Sequence, residues 1–302
     1  MTRKRIVLAF LALTFLAVGS FLLYGWLGLP SRARVRALRL TNPTTTGVIE
    51  QRRREAERRG RKAARVQAWI PLSRIARPLI QAVVVAEDGR FFDHRGVDWA
   101  AIRESARSNW ERRALARGGS TITQQLAKNL FFTTARTPLR KLQEIVVARW
   151  LEEDLDKQRI LELYLNVIEW GDGVYGCEAA AQRYFGKSAS ALDASEAAGL
   201  AAIIPSPRRM NPRADPGRYA RAQKRVFAML ARAGYVRGAT SGLGSVPLPP
   251  PEVVLEDEAD EEPPPIPESP APEPTPTPEE PAPTPEPTPT PTPSPTPSGG
   301  LQ

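Results

Sequence analysis

The chain has one cysteine, Cys177, so no disulfide can form within it. That thiol reads as a lone buried side chain, and cysteine usage leaves the compartment open. There is one histidine, His94, and no lysine or arginine after Arg237. Beyond that arginine lie twelve acidic residues, from Glu252 to Glu286. Residues 1–237 therefore hold 42 basic against 21 acidic side chains, so an overall charge of +9 hides a body of +21. Such a body suits a polyanion: nucleic acid, an acidic membrane surface or a phosphorylated substrate.

Charge is also missing from Ile6 to Leu29, IVLAFLALTFLAVGSFLLYGWLGL. That run is long enough to cross a hydrocarbon core of about 30 Å. It is longer than the apolar part of a cleaved signal peptide and ends at Leu29-Pro30 without an A-x-A site. The expectation is a retained signal anchor over 6–29, after a short cytoplasmic N-terminus, 1–5. Arg3, Lys4 and Arg5 flank one side, and Arg32, Arg34, Arg36 and Arg39 the other, so charge alone does not orient it.

Residues 30–68 form a basic juxtamembrane segment that includes QRRREAERRGRKAAR. It reads either as a solvated helix or linker, or as a contact with anionic headgroups at about 1 kcal/mol per basic residue; the neighbouring span favours the second. From Pro71 to about Gly234, helical spacing of apolar residues predicts one helical domain. In TPLRKLQEIVVARWLEED, Thr137 is the expected N-cap and Pro138 the first helical residue. LDASEAAGLAAIIPSP predicts a second capped helix, stopped by Pro205 and Pro207. From Gly242 the composition shifts, with 22 of the 31 prolines between Pro247 and Pro297. Such a tail, 238–302, buries no core and is expected to be disordered and locally polyproline II.

Three stretches carry chemistry. In AEDGRFFDHRG, Ala86 to Gly96, Glu87 follows an apolar helical run. Burial there raises a carboxyl pKa and suits it to accept a proton near neutral pH, with Phe91 and Phe92 as pocket walls. A capping cluster explains the Glu-Asp pair equally well. In GGSTITQQLAKN, Gly118 to Asn129, Ser120 is the expected N-cap. Thr121, Gln125 and Lys128 then share one face, and Ile122, Leu126 and Leu130 share an inward one. A helix start with hydroxyls, amides and a lysine suits phosphate, although an ordinary amphipathic helix reads the same way. In ARTPLRKLQE, Arg136, Arg140 and Lys141 lie within one and a half turns. Glu144 stands four residues after Arg140, the spacing of a modest surface bridge.

These stretches, followed by ILELYLNVIEWG and AAQRYFGKSASALDASEAAGLAAIIPSPRRMNP, resemble in order the five motifs of the peptidoglycan glycosyltransferase domain, glycosyltransferase family 51. The resemblance covers about Trp69 to Pro212. It implies a mostly α, lysozyme-like domain over 69–237, with a larger head lobe and a smaller, membrane-touching jaw lobe. It implies polymerisation of lipid II into β-1,4-linked glycan strands, with release of undecaprenyl diphosphate. The chain has no S-x-x-K or K-T-G, so it resembles the monofunctional biosynthetic transglycosylases rather than bifunctional penicillin-binding proteins.

Motif by motif, the resemblance makes Glu87 the catalytic base and Glu144 the second catalytic glutamate. Lys128, Arg136 and Arg140 become diphosphate ligands. Asp88, Phe91, His94, Ser120, Thr121, Gln124, Gln125 and Asn129 become substrate-binding or supporting residues. His94 is expected to hold its loop by hydrogen bonds rather than to move a proton. No cofactor is required, although a divalent cation, magnesium or manganese, has a place beside the diphosphate, with Glu144 orienting the cations or binding the metal. The implied partners are lipid II, the growing glycan chain, inner-membrane lipids and other cell-wall synthesis proteins, not nucleic acid. The implied location is a bacterial inner membrane, with the catalytic domain on the periplasmic side. Two other readings stay open at this point. A lytic transglycosylase shares the fold and one glutamate but shortens strands. A non-catalytic membrane scaffold would use only the basic segment and the tail.

Overall fold

The structure, a computed structural model, describes residues 3–112, 119–135 and 137–236. Arg136 and the tail from 237 onward lie outside the described residues. The architecture is mostly α, as the apolar periodicity predicts. Helix α1 (Arg3–Leu27) has 25 residues, about 37 Å at 1.5 Å per residue. It contains the apolar window, of mean hydropathy 1.9, that is long enough to cross a membrane.

Its last turn is seated on another helix. α2 (Arg32–Ala37) follows, and both pack against α7 (Pro138–Asp154). Trp26 meets Trp150 edge-on at 6.5 Å between ring centroids, and the Gln143 amide donates to the Gly25 carbonyl at 2.8 Å. Arg32 bridges to Glu153 at 2.7 Å and to Asp154 at 3.2 Å.

The basic segment after the span is packed into the body only in part, and residues 58–66 are exposed. α3 (Gly47–Glu57) buries Val48 and Ile49 and packs on α6 (Ile122–Phe131), while Val35 and Leu38 enter the main core. Arg52 ties α3 to Glu169 at 3.0 Å. Its apolar residues are sparse but fall on one side, and that side decides the packing.

α4 (Arg77–Glu87) has Pro78 in its first turn and buries Leu79, Ala82, Val83 and Val84. Three consecutive valines are poor helix formers, and burial overrides that preference. The last helices are α8 (Lys157–Val167), α9 (Cys177–Phe185), α10 (Ala194–Ile203) and α11 (Pro216–Arg232), with α5 (Trp99–Arg112) lying before α6. α10 packs against both α4 and α11 and is buried from Ala197 to Ile203. Its small residues allow that close approach, and an Asp193–Glu196 capping box closes its start. Cys177 is fully buried, and burial pushes its thiol up to about 12.

A small sheet completes the body. β1 (Val66–Gln67) runs parallel to β3 (Val174–Tyr175), which pairs antiparallel with β2 (Glu169–Gly171). It fixes Glu169 at the start of β2.

Candidate functional site

α4 ends at Glu87 because Asp88 turns extended, at φ −160°. The loop that follows is clamped to the start of α6 at two points. The Asp88 carboxylate accepts from the Ile122 amide at 3.0 Å and lies 3.0 Å from His94 Nε2 through each oxygen. The Thr121 hydroxyl donates to the Gly96 carbonyl at 2.7 Å. Gly96 itself sits at φ +85°, where a Cβ would stand 3.1 Å from the Ala148 carbonyl of α7, so only glycine fits. His94 thus holds its loop, as expected. Lys157 adds a bond to the His94 carbonyl at 2.6 Å and sits 4.4 Å over the Phe91 ring.

Three expectations change here. The cap of α6 is Thr121, not Ser120: Thr121 Oγ1 accepts from the Gln124 amide at 3.1 Å. Ser120 instead accepts from the Lys141 ammonium at 2.9 Å. With two adjacent hydroxyls, the one that also reaches Gly96 takes the cap. Phe91 does not wall a pocket; it is fully buried in the core, with Phe92 packed against its edge at 5.0 Å. Glu87 is half-buried rather than sealed off. A test separates the two caps. Thr121→Ala should lower stability by about 1 kcal/mol or more, and Ser120→Ala by clearly less, in thermal unfolding. Equal losses would reject this assignment.

The clamp sets α6 against Glu87. Gln125 Nε2 donates to Glu87 Oε2 at 2.7 Å, and Gln125 Oε1 accepts from the Tyr164 hydroxyl at 2.9 Å. Tyr164 is fully buried, and burial, then the nearby Glu87 and Asp88 charges, holds its hydroxyl well above its ordinary range. It therefore stays a donor, which fixes the Gln125 amide with its nitrogen toward Glu87. Asn129 Nδ2 anchors the Gln125 carbonyl at 2.7 Å. Ile122, Leu126 and Leu130 face the core, as the periodicity predicts.

One helical turn past Gln125, Lys128 enters a cavity of about 740 Å³. Six cations line that cavity, Arg52, Arg59, Lys128, Arg140, Arg208 and Arg209, against the carboxylates Glu169 and Asp172. Among the described residues the Lys128 ammonium has no hydrogen-bond or ion-pair partner. Burial holds its pKa below the ordinary lysine range; Glu144 opposes this more strongly than Glu87 does.

Glu144 is buried, at 3 % exposure, and is no surface bridge. It pairs with Arg140 and lies 3.5 Å from Lys141. Lys141 also donates to Gln124 at 2.7 Å. Glu87 and Glu144 make no direct contact. Each stands behind a residue that lines the cavity, Gln125 for Glu87 and Arg140 for Glu144. A larger cavity, about 1000 Å³, lies instead between α5 and α7, with Trp99, Trp150, His94 and four arginines in its walls. It lacks Lys128 and the two residues bonded to the glutamates, Gln125 and Arg140, so the candidate site is the smaller one.

Asp88, His94 and Asp98 present atoms within 4.8 Å of one another, near enough to share a cation. These donors are already committed. Asp98 is held by Arg90 at 2.9 and 3.1 Å and by the Ala101 amide at 2.8 Å. A guanidinium on one carboxylate and a backbone amide on the other do not fit a divalent cation.

The sequence reading missed Tyr164, Arg52, Arg59, Glu169, Arg208 and Arg209, and gave Lys141 no role beyond its place in a basic cluster. Tyr164 and Glu169 sit in ILELYLNVIEWG and the last two arginines in SPRRMNP, so position in a motif was the available signal. Arg52 and Arg59 had only their place in a basic run.

A family model described as Transglycosylase matches residues 54–231, more than half of the chain. The chain is 47 % identical over 167 residues to a biosynthetic peptidoglycan transglycosylase of Methylobacillus flagellatus, covering 55 % of this chain and 73 % of that one. It is 48 % identical over 167 residues to the protein of that name in Thiobacillus denitrificans, covering 55 % and 72 %. In Nitrosomonas eutropha, identity to the protein of that name is 48 % over 170 residues, covering 56 % and 70 %. With the clamped Glu87 and the cationic cavity behind it, this match over most of the folded body places the chain in the transglycosylase family.

Proposed function

We propose that the chain is a peptidoglycan glycosyltransferase that polymerises lipid II into β-1,4-linked glycan strands. The observation that carries this reading is α6, which presents a carboxylate partner and a cation one turn apart: Gln125 bonds Glu87, and Lys128 opens into the cavity. Glu87 takes the proton from the 4-hydroxyl of the incoming lipid-linked disaccharide. That oxygen attacks the anomeric carbon of the growing chain from the face opposite the leaving group. The carbon–oxygen bond to undecaprenyl diphosphate breaks, and the configuration inverts. Negative charge builds on the departing diphosphate, where Lys128 and Arg140 offset it. Glu144, paired with Arg140 and close to Lys141, fixes the cationic side of the site. A divalent cation would supply further charge at the diphosphate. The donors described above do not form a site for it, so no step is assigned to it.

A strand-cleaving enzyme must protonate a sugar oxygen and has no use for cations gathered around a diphosphate. Labelled lipid II in detergent or vesicles tests the choice. Longer strands are the expected product, and shortening of preformed strands with no polymer would overturn the reading.

The bacterial inner membrane, with the domain on its periplasmic side, is the proposed location. Three features support a membrane seat: α1, the basic body, and an apolar row on α7 in which Leu142 and Val146 are exposed beside the docked Trp150. Inner-membrane lipids and other cell-wall synthesis proteins are the proposed partners.

The hydrogen-bond relay behind Glu87 adds a test. Tyr164→Phe keeps the ring and removes the donor that orients Gln125. The polymerisation rate should fall about threefold to tenfold, the worth of one neutral hydrogen bond. KM should change little. Lower stability with an unchanged rate would reduce Tyr164 to a packing residue.

A further inference from the structure

The cavity holds more positive charge than a diphosphate needs. Arg140 is committed to Glu144, and Arg52 to Glu55 at 2.9 Å and Glu169 at 3.0 Å. Among the described residues Arg208 is held only by Asp172, at 2.8 Å, and that carboxylate is 77 % exposed, so the pair is weak and exchangeable. Among the described residues, Arg59 and Arg209 have no carboxylate in ion-pair range. Three guanidiniums thus line one cavity with nothing firm to bind. They come from two separate walls, the end of α3 and the loop after α10, both distinct from the α6–α7 wall that presents Lys128 and Arg140.

We infer that Arg59, Arg208 and Arg209 form a subsite for the carboxylates of the peptide that the sugar substrate carries. This rests on the polymerase reading above. A lipid-linked muramyl peptide has two kinds of anion. The diphosphate leaves from the reacting carbon and so belongs beside Lys128. The peptide hangs from a lactyl ether on the same sugar ring, and so emerges within a few ångströms of that carbon toward another wall of the same cavity. All three side chains are arginine, whose planar fork matches a carboxylate through two parallel hydrogen bonds. The exposed Asp172 acts as a placeholder: a peptide carboxylate takes over its Arg208, and Asp172 returns to water.

The test compares two substrates on the full-length protein in detergent. One is the lipid-linked disaccharide with its acidic peptide, and the other is the same molecule with the lactyl group capped as a simple amide. For the wild type, KM should be lower with the peptide-bearing substrate, and the advantage should shrink as salt rises. In the combined variant Arg59→Gln, Arg208→Gln, Arg209→Gln, KM for the peptide-bearing substrate should rise by about tenfold, the loss of at least one charge-assisted contact. The difference between the two substrates should then collapse. Equal loss on both would overturn the subsite, because the cations would then serve the diphosphate or the fold. Unchanged KM on both would overturn it as well. A wild-type protein that polymerises neither substrate would sink the polymerase reading, and the subsite with it.

Discussion

Glu87→Gln should lower the rate of lipid II polymerisation by at least a hundredfold, within the roughly 10²–10⁴ range of general base catalysis. The substitution keeps the shape of the side chain. Its amide oxygen still accepts from Gln125, so the contact at 2.7 Å survives and the loop clamped through Asp88 and Thr121 is undisturbed. Only the ability to accept a proton is lost. Thermal unfolding should therefore match the wild type, and substrate binding should persist in the inactive protein. Retention of more than a few per cent of wild-type turnover would show that another group takes the proton. Asp88 is the neighbouring candidate, but its carboxylate is buried and already engaged by His94 and the Ile122 amide.

Lys128→Met should separate rate from stability. The ammonium is half-buried, has no partner among the described residues, and is disfavoured there by desolvation. Removing it should cost about a hundredfold in rate, the scale of one lost electrostatic contact to a developing anion. The fold should be no less stable, because the side chain is a liability until the substrate arrives. Its pKa is lowered in the folded chain, so between that value and the ordinary lysine value the unfolded chain holds more protons. Wild-type stability should thus rise with pH through that window, and the variant should lack this rise. The same titration should place the alkaline limb of the wild-type rate below the ordinary lysine range, and Lys128→Arg should move it upward. A methionine variant that loses stability along with rate would make Lys128 a structural residue.

Local chemistry made the helix starts legible. Thr137 with Pro138 and Asp193 with Glu196 announce α7 and α10 by hydrogen bonds that span only three residues. The start of α6 was misread by one residue, because its cap is chosen by a contact with Gly96, 25 positions earlier. Glu87, Lys128 and Glu144 were assigned through motif resemblance; the burial of Glu144 was not legible, since an Arg–Glu pair four residues apart looks the same on a surface. The cavity was illegible for a different reason. Its walls come from α3, α6, α7, the start of β2 and the loop after α10, and no pattern within one segment says that those segments meet. α3 was the hardest part, because its charges dominate the composition while two buried residues, Val48 and Ile49, decide where it sits.

The seat of α1 on α7 has one more consequence. Gly25 is tight against Leu139, where a Cβ would come within 2.9 Å of the leucine, and Gly28 faces Gln143, the residue before Glu144. The helix read as the membrane anchor is therefore bolted directly to the rod that carries Arg140, Lys141 and Glu144. Contact, not the length of a tether, sets the stand-off of the cationic site from the bilayer surface. For the lipid-linked substrate of the proposed reaction, held in the same bilayer as that anchor, the encounter becomes a search in a plane instead of a volume.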